Sequence, residues 1–280
     1  MSASLASNHL TEAATPSRDY GTLFSLRNQV VLFTGGEGHL GTEISKGLAT
    51  FGARVIVLGR SEARFAPLKG FFPQEGTGAI EGVVCDVGDE TAVAAAVERL
   101  WNTYGRIDGL INHAATGGRE PWEALTKDAW LHGLEGTLNS YFTCTKIVSP
   151  YMLKAGKGSI VNTASLWSFL APNPKIYLDL PIQPAAHTSA AKGAVLQLTR
   201  HLAALWGSKG IRVNAVTPGW FPKKRGPERP DYMREIISRV PLERIGRPSD
   251  LVGVYLFLMS EASSYVTGQN LIVDGGYSIW

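Results

Sequence analysis

Cysteine is scarce: the 280-residue chain has two, Cys85 and Cys144, both in apolar context. Two thiols cannot build a disulfide framework, so buried free thiols in a reducing compartment are expected. Long apolar runs are also missing. Stretches such as Val30-Val31-Leu32-Phe33 fall far short of the roughly 20 residues that a membrane-crossing helix needs. Neither sign of charge dominates, with 27 Lys plus Arg against 24 Asp plus Glu, a formal +3. No basic cluster alternates with aromatics in a recognition motif, so nucleic acid is not an expected partner. His9, His39, His113, His132, His187 and His201 show no metal-ligand spacing, and no metal site is expected. Residues 1–25 are rich in Ser, Ala and Thr and have neither a basic start nor an apolar stretch that would mark a secretory signal. They are expected to form a flexible extension or an arm on a partner subunit, with Arg18 and Arg27 leaving organelle targeting open. A soluble, cytoplasmic protein is the expectation.

What is present is an alternation. Gln29–Phe33, Arg54–Leu58, Ile80–Cys85, Gly109–Asn112, Gly158–Thr163, Arg212–Val216 and Asn270–Val273 are short, apolar and mostly bounded by Gly, Asn or Asp, which predicts buried strands. Helical patterns lie between them, among them Thr91–Tyr104, Trp130–Ala155 and Ala190–Gly207. Such alternation implies an α/β fold: one Rossmann-like, doubly wound parallel sheet with helices on both faces. A single domain over 26–280 is expected, since α/β domains often reach this size. An insertion loop around 170–186 and a lid around 220–240 interrupt it; no internal repeat occurs.

Between the first strand and the first helix stands Thr34-Gly35-Gly36-Glu37-Gly38-His39-Leu40-Gly41. Glycines there permit a tight turn and let backbone N–H groups approach a pyrophosphate at a helix N-terminus. The strand before and the helix after are what make the triplet informative. The second strand ends Val57-Leu58-Gly59-Arg60-Ser61. Gly59 has no carboxylate to repel a ribose 2′-phosphate and Arg60 could bind one, so NADP is preferred and NAD remains possible. Glu37 and Glu62 lie near in sequence and work against that preference.

With these landmarks the chain resembles the short-chain dehydrogenases/reductases from about Leu26 to Tyr277. The resemblance rests on Thr34–Gly41, Cys85-Asp86-Val87, Gly158-Ser159-Ile160-Val161-Asn162, Arg212 through Gly219, Val266-Thr267-Gly268-Gln269 and Val273-Asp274-Gly275-Gly276. It implies that Gly35, Glu37, Gly38, His39, Leu40, Gly41, Arg60, Ser61, Asp86, Val87, Asn112, Ala114, Lys192, Pro218 and Gly219 line a dinucleotide. It also implies a homodimer or homotetramer built through the long helices. Two departures stand in the cofactor channel: His39 replaces the middle glycine of the family's loop, and Asn112-His113-Ala114-Ala115 replaces Asn-Asn-Ala-Gly.

In this family a serine holds the substrate oxygen, a tyrosine transfers the proton, a lysine lowers the phenol pKa and grips the ribose, and an asparagine supports a relay water. By resemblance Ser165 and Lys192 match the serine and the lysine. The tyrosine position, four residues before Lys192, is Thr188, and the asparagine position is Thr137. An aliphatic hydroxyl does not reach the pKa range of an activated phenol and is a poor acid. The stretch from Ser165 to Thr188 is longer than usual and carries Pro172, Pro174, Pro181 and Pro184, hence a semi-rigid excursion. Tyr177, twelve residues beyond Ser165, or His187 is a candidate for the missing acid; both also suit plain packing roles. Trp220, Phe221, Lys223, Lys224 and Arg225 could clamp an anionic or aromatic small molecule, or form a solvated lid face.

The expected activity is an NADP-preferring oxidoreductase that interconverts a carbonyl and an alcohol with a substitute acid. A non-redox lyase, isomerase or cyclase on the same fold stays open, as does a catalytically silent nucleotide-binding protein.

Overall fold

Strand β1 (Val30–Thr34) is buried at all five positions, and that burial is what its β-branched and aliphatic sequence requires. It pairs in parallel with β2 (Arg54–Gly59) on one side and with β4 (Gly109–Asn112) on the other. With β3 (Ala79–Val84), β5 (Gly158–Thr163), β6 (Ile211–Pro218) and β7 (Asn270–Val273) it forms a seven-stranded parallel sheet in the order β3-β2-β1-β4-β5-β6-β7. The computed structural model describes residues 19–71, 78–118, 120–177, 185–223 and 230–280.

Side chains alternate along each strand, so each strand feeds two cores. Leu32, Ile56, Leu58, Leu110 and Ile160 join Val93 and Val97 of α2 (Glu90–Tyr104), Val148 and Met152 of α4 (Ser140–Ala155), and Trp206 at the end of α5 (Ala186–Trp206). Val31, Phe33, Val55, Val57, Ile111 and Val161 pack on the other face with Ile44 and Leu48 of α1 (Gly41–Thr50) and Tyr255 and Leu258 of α7 (Val252–Met259). A fully buried side chain of this size contributes about 1.5–3 kcal/mol. Burial also raises the thiols, Cys85 to about 11 and Cys144 to about 12, which leaves both protonated and inert.

The strand order reverses between β1 and β4, and in open sheets of this kind ligands bind at such a point, outside the carboxyl ends of the strands. Polar side chains fix those ends. Asn112 donates to Asn162 Oδ1 at 2.9 Å and to Thr145 of α4 at 3.0 Å, and Asn162 donates to Thr199 of α5 at 3.0 Å.

Two helix expectations need correction. The helix expected over Trp130–Ala155 is two helices, α3 (Lys127–Leu134) and α4, joined by a π-helical turn over Glu135–Asn139. Helix α5 starts a turn before the expected Ala190, at Ala186. Within the N-terminal extension residues 19–25 are described. Asp19 caps a short turn at Tyr20–Thr22, and the Leu23 carbonyl accepts from Ala262 N at 3.2 Å. Residues 1–18, 178–184 of the insertion, and 224–229 of the lid with Lys224 and Arg225 lie outside the described residues. The described end of the lid is α6 (Pro230–Ile237).

Candidate active site

The turn after β1 depends on missing side chains. Gly35 has φ +72°, and a Cβ on it would stand 3.0 Å from Ala114 Cα. A Cβ on Gly41 would reach the Gly35 carbonyl at 2.5 Å, so α1 can seat on the loop only without one. Thr34 Oγ1 accepts from the backbone N–H of His113 at 3.0 Å and of Ala114 at 3.1 Å, which ties the end of β4 to the loop. Gly35, Gly38, Leu40, Gly41, Asn112 and Ala114 thus meet at one end of the sheet. Leu40 precedes α1 without a side-chain cap, so the first amides of that helix have no side-chain acceptor. This cradle fits a dinucleotide pyrophosphate. The His39 ring lies by the Pro222 backbone and Lys223; desolvation first and the Lys223 charge second lower its pKa. Gly219 packs closely too: its N–H donates to Val273 O at 2.9 Å, and a Cβ would meet Asp274 Cα at 2.5 Å.

At the adenosine end Asp86 is exposed and its Oδ1 accepts from Gly88 N at 3.0 Å, with Val87 half-buried beside it. Arg60 and Ser61 are exposed. The space above Gly59 is not empty of charge. It is taken by the buried Glu37 carboxylate, which pairs with Arg64 Nε at 3.0 Å, while Glu62 pairs with Lys69 on the surface. Arg64 was not singled out in the sequence; its place in the turn directly after β2 is the signal that could have marked it.

The chemistry centres on Lys192, which is only 6% exposed. Its Nζ donates to Thr163 O at 2.5 Å and to Tyr141 Oη at 2.9 Å, and lies 4.8 Å from the Tyr141 ring centre. Burial lowers it to about 7. Tyr141, on the inward face of α4, donates to Thr163 O at 3.2 Å, and desolvation holds its phenol well above the ordinary range. A second chain runs from His113 Nδ1 to Thr163 Oγ1 at 3.0 Å and on to Tyr255 Oη at 2.7 Å. Desolvation, with the Lys192 charge adding to it, lowers His113 to about 3, so its ring is neutral. Tyr141, Thr163 and Tyr255 escaped the sequence reading because their partners lie on other elements.

Thr188 is half-buried, one turn before Lys192 on α5 and near Gly117. Ser165 Oγ accepts from Trp167 N at 3.2 Å, and Ser168 Oγ accepts from Ser165 N at 3.1 Å, so the serine caps the turn that leaves β5. His187 is buried, its ring packed on Gly133 of α3 and its Nε2 accepting from Gly118 N at 3.2 Å. Its Nδ1 is buried with no hydrogen-bond partner among the described residues. Tyr177 closes the 3-10 turn Pro174–Tyr177, and its neighbour Ile176 is buried against Ile236 of α6 and Val240. Thr137 lies in the π-helical turn and donates to Thr116 O at 3.2 Å; such turns often mark functional positions. Above the mouth, Trp167 meets Trp220 edge-on at 5.9 Å, and Trp220 meets Tyr232 of α6 at 6.3 Å and Tyr277 at 5.9 Å. Trp220 thus sits in an aromatic wall, and Lys223 stays exposed.

The family model described as enoyl-(acyl carrier protein) reductase matches residues 37–278. A gluconate 5-dehydrogenase of Gluconobacter oxydans is 35% identical over 260 residues, 92% of this chain and 97% of that protein. The crystal structure of a gluconate 5-dehydrogenase from Burkholderia cenocepacia in complex with NADP and tartrate is 32% identical, with a TM-score of 0.82 over 92% of this chain and 98% of that one. A short chain dehydrogenase from Leptospira borgpetersenii with bound NAD+ has a TM-score of 0.79 and 29% identity over 90% of this chain and 93% of that one.

Proposed function

The chain belongs to the short-chain dehydrogenase/reductase family. From that premise we propose an NAD(P)-dependent oxidoreductase that interconverts a carbonyl and an alcohol on a small molecule. NADP is preferred and NAD accepted, and the proton comes from a group other than the family's phenol. The bound nicotinamide gives or takes the hydride; the chain's own groups handle the oxygen and its proton. Ser165 holds the substrate oxygen. Lys192 is the proton source, because burial brings it to about 7. Thr188 stands one turn away on the same face of α5 and passes the proton through its hydroxyl. Tyr177, on the insertion, is the competing donor.

The observation that carries this reading is Lys192 itself: a buried ammonium that hydrogen-bonds a phenol and a carbonyl, with no carboxylate partner among the described residues. Such a group is expensive to bury and is a marker of function more than of stability. The exposed Phe142 of α4 and Leu205 of α5 support assembly into a homodimer or homotetramer. Among the described residues no helix is long and apolar enough to cross a membrane, and a cytoplasmic site is proposed with it.

The test is stoichiometric change in nicotinamide absorbance with a panel of alcohols and ketones, gluconate first. Turnover without that change would select a lyase, isomerase or cyclase, and no turnover a silent binder. Thr188→Tyr restores a phenol beside Lys192 and should raise turnover about tenfold. An unchanged rate and pH profile in that variant would sink the proton assignment.

A further inference from the structure

The main chain leaves β2 at Gly59, and a carboxylate from another part of the chain covers it. A Cβ on Gly59 would stand 3.0 Å from Glu37 Cδ and 3.1 Å from Glu37 Oε1. Glu37 Oε1 accepts from Arg64 Nε at 3.0 Å, and the glutamate side chain is 3% exposed against 45% for the arginine. Glu37 Oε2 is buried with no hydrogen-bond partner. A buried carboxylate oxygen without a donor is rare in folded proteins and calls for an explanation.

The position supplies one. In open sheets of this kind an acid near the end of the second strand accepts from the adenosine ribose 2′-hydroxyl. Here residue 59 has no side chain, and the acid comes from the glycine-rich turn instead. We infer that Glu37 reads the 2′ position of the adenosine ribose, an inference that rests on the dinucleotide reading of the cleft. Glu37 Oε2 accepts a hydrogen bond from the 2′-hydroxyl, and Arg64, 3.0 Å from Oε1, holds the carboxylate in place. A 2′-phosphate brings up to two negative charges to the same point. To admit it, Glu37 must release Arg64, which then turns with the exposed Arg60 onto the phosphate. Glu37 and the phosphate therefore compete for one guanidinium, and the glutamate holds the NADP preference down.

The full-length protein is titrated with NADH and NADPH by nicotinamide fluorescence, and with ADP and 2′,5′-ADP by calorimetry. The fragment titrations read binding without any hydride chemistry. Glu37→Gln should raise the affinity for NADPH relative to NADH, and for 2′,5′-ADP relative to ADP, by about tenfold, one decade in Kd. Arg64→Met should lower affinity for the 2′-phosphorylated ligands more than for the others, and more steeply on the Glu37→Gln background, where Arg64 is released. Binding of all four ligands with an unchanged ratio in Glu37→Gln overturns the assignment and leaves the dinucleotide site standing. Binding of none to the wild-type protein overturns both.

Discussion

The two ends of the cleft are built from different materials. At the pyrophosphate end the work is done by backbone and by missing side chains: Gly35 pressed on Ala114, Gly41 pressed on the Gly35 carbonyl, Thr34 gathering two amides. At the chemical end it is done by side chains: Thr188 stands one turn before Lys192 on α5, and Tyr141 and His113 crowd the floor around Lys192 and Thr163. A site made of backbone has one workable form, and almost any added atom breaks it. Paired side chains can exchange places among several helices while the fold is unaffected. Fold kinship therefore speaks more firmly for the nucleotide than for the acid.

The largest effect should follow from adding atoms at the backbone end. Gly41→Val must push α1 off the turn, because even a Cβ would lie 2.5 Å from the Gly35 carbonyl and 2.7 Å from Gly36 Cα. Overpacking of this kind costs about 1–3 kcal/mol in stability. In the proposed dinucleotide site it also displaces the glycine-rich turn, so dinucleotide affinity should fall by about a hundredfold or more, some 2.7 kcal/mol. Gly38→Ala is the control. Its Cβ meets only the Gly35 carbonyl, at 3.1 Å, and binding should change by no more than a few-fold. Equal losses in the two variants would mean that the turn is not held by close approach at Gly41.

The next effect sharpens the other half. Lys192→Met should lower turnover by about 10²–10⁴, the usual worth of a positioned acid or base, with dinucleotide affinity much less affected. It has a stability signature as well. The folded value is about 7 against an ordinary 10.5. Between those two pH values the unfolded chain carries a proton that the folded chain lacks, so stability contributed by this group rises with pH across that window. Below about 7 both states are protonated and the burial cost is constant. The melting temperature of the wild type should therefore climb relative to Lys192→Met between pH 7 and pH 9, by calorimetry across that range. Parallel curves would show that burial does not lower the lysine's pKa and that the folded chain keeps the proton across that range.

The same division decides what could be read from the sequence. Boundaries at Gly109–Asn112, Gly158–Thr163 and Asn270–Val273 coincide with the structure because Gly, Asn and Asp punctuate them locally. The glycine turn was legible for the same reason, since it is a matter of spacing along the chain. The π-helical turn at Glu135–Asn139 was not, because Gly133 and Gly136 beside and within it are isolated glycines of the kind that helices tolerate. Nor were the pairs that give the site its chemistry. Tyr141 and Lys192 are 51 residues apart and meet only when α4 and α5 pack side by side. Glu37 reaches Gly59 only because β1 and β2 are neighbours in parallel register. Local pattern fixes elements; the partner of a buried charge is set by packing.

The smallest effect tests whether Tyr141 belongs to the working end at all. Tyr141→Phe keeps the ring beside Lys192 and removes one of the two oxygens that receive its hydrogen bonds, leaving Thr163 O. A hydrogen bond from a charged donor is worth about 1.5–3 kcal/mol, less whatever the freed phenol desolvation returns. A net loss of about 1 kcal/mol would lower the melting temperature by about 2–4 °C in a domain of this size. Losing an acceptor also disfavours the ammonium, so Lys192 should move below about 7 and the pH–rate profile should shift to lower pH by less than about one unit. A melting shift with no change in the profile would make Tyr141 a packing residue alone. A shift in the profile with no loss of dinucleotide affinity would place it in the chemical half, as the residue that positions Lys192.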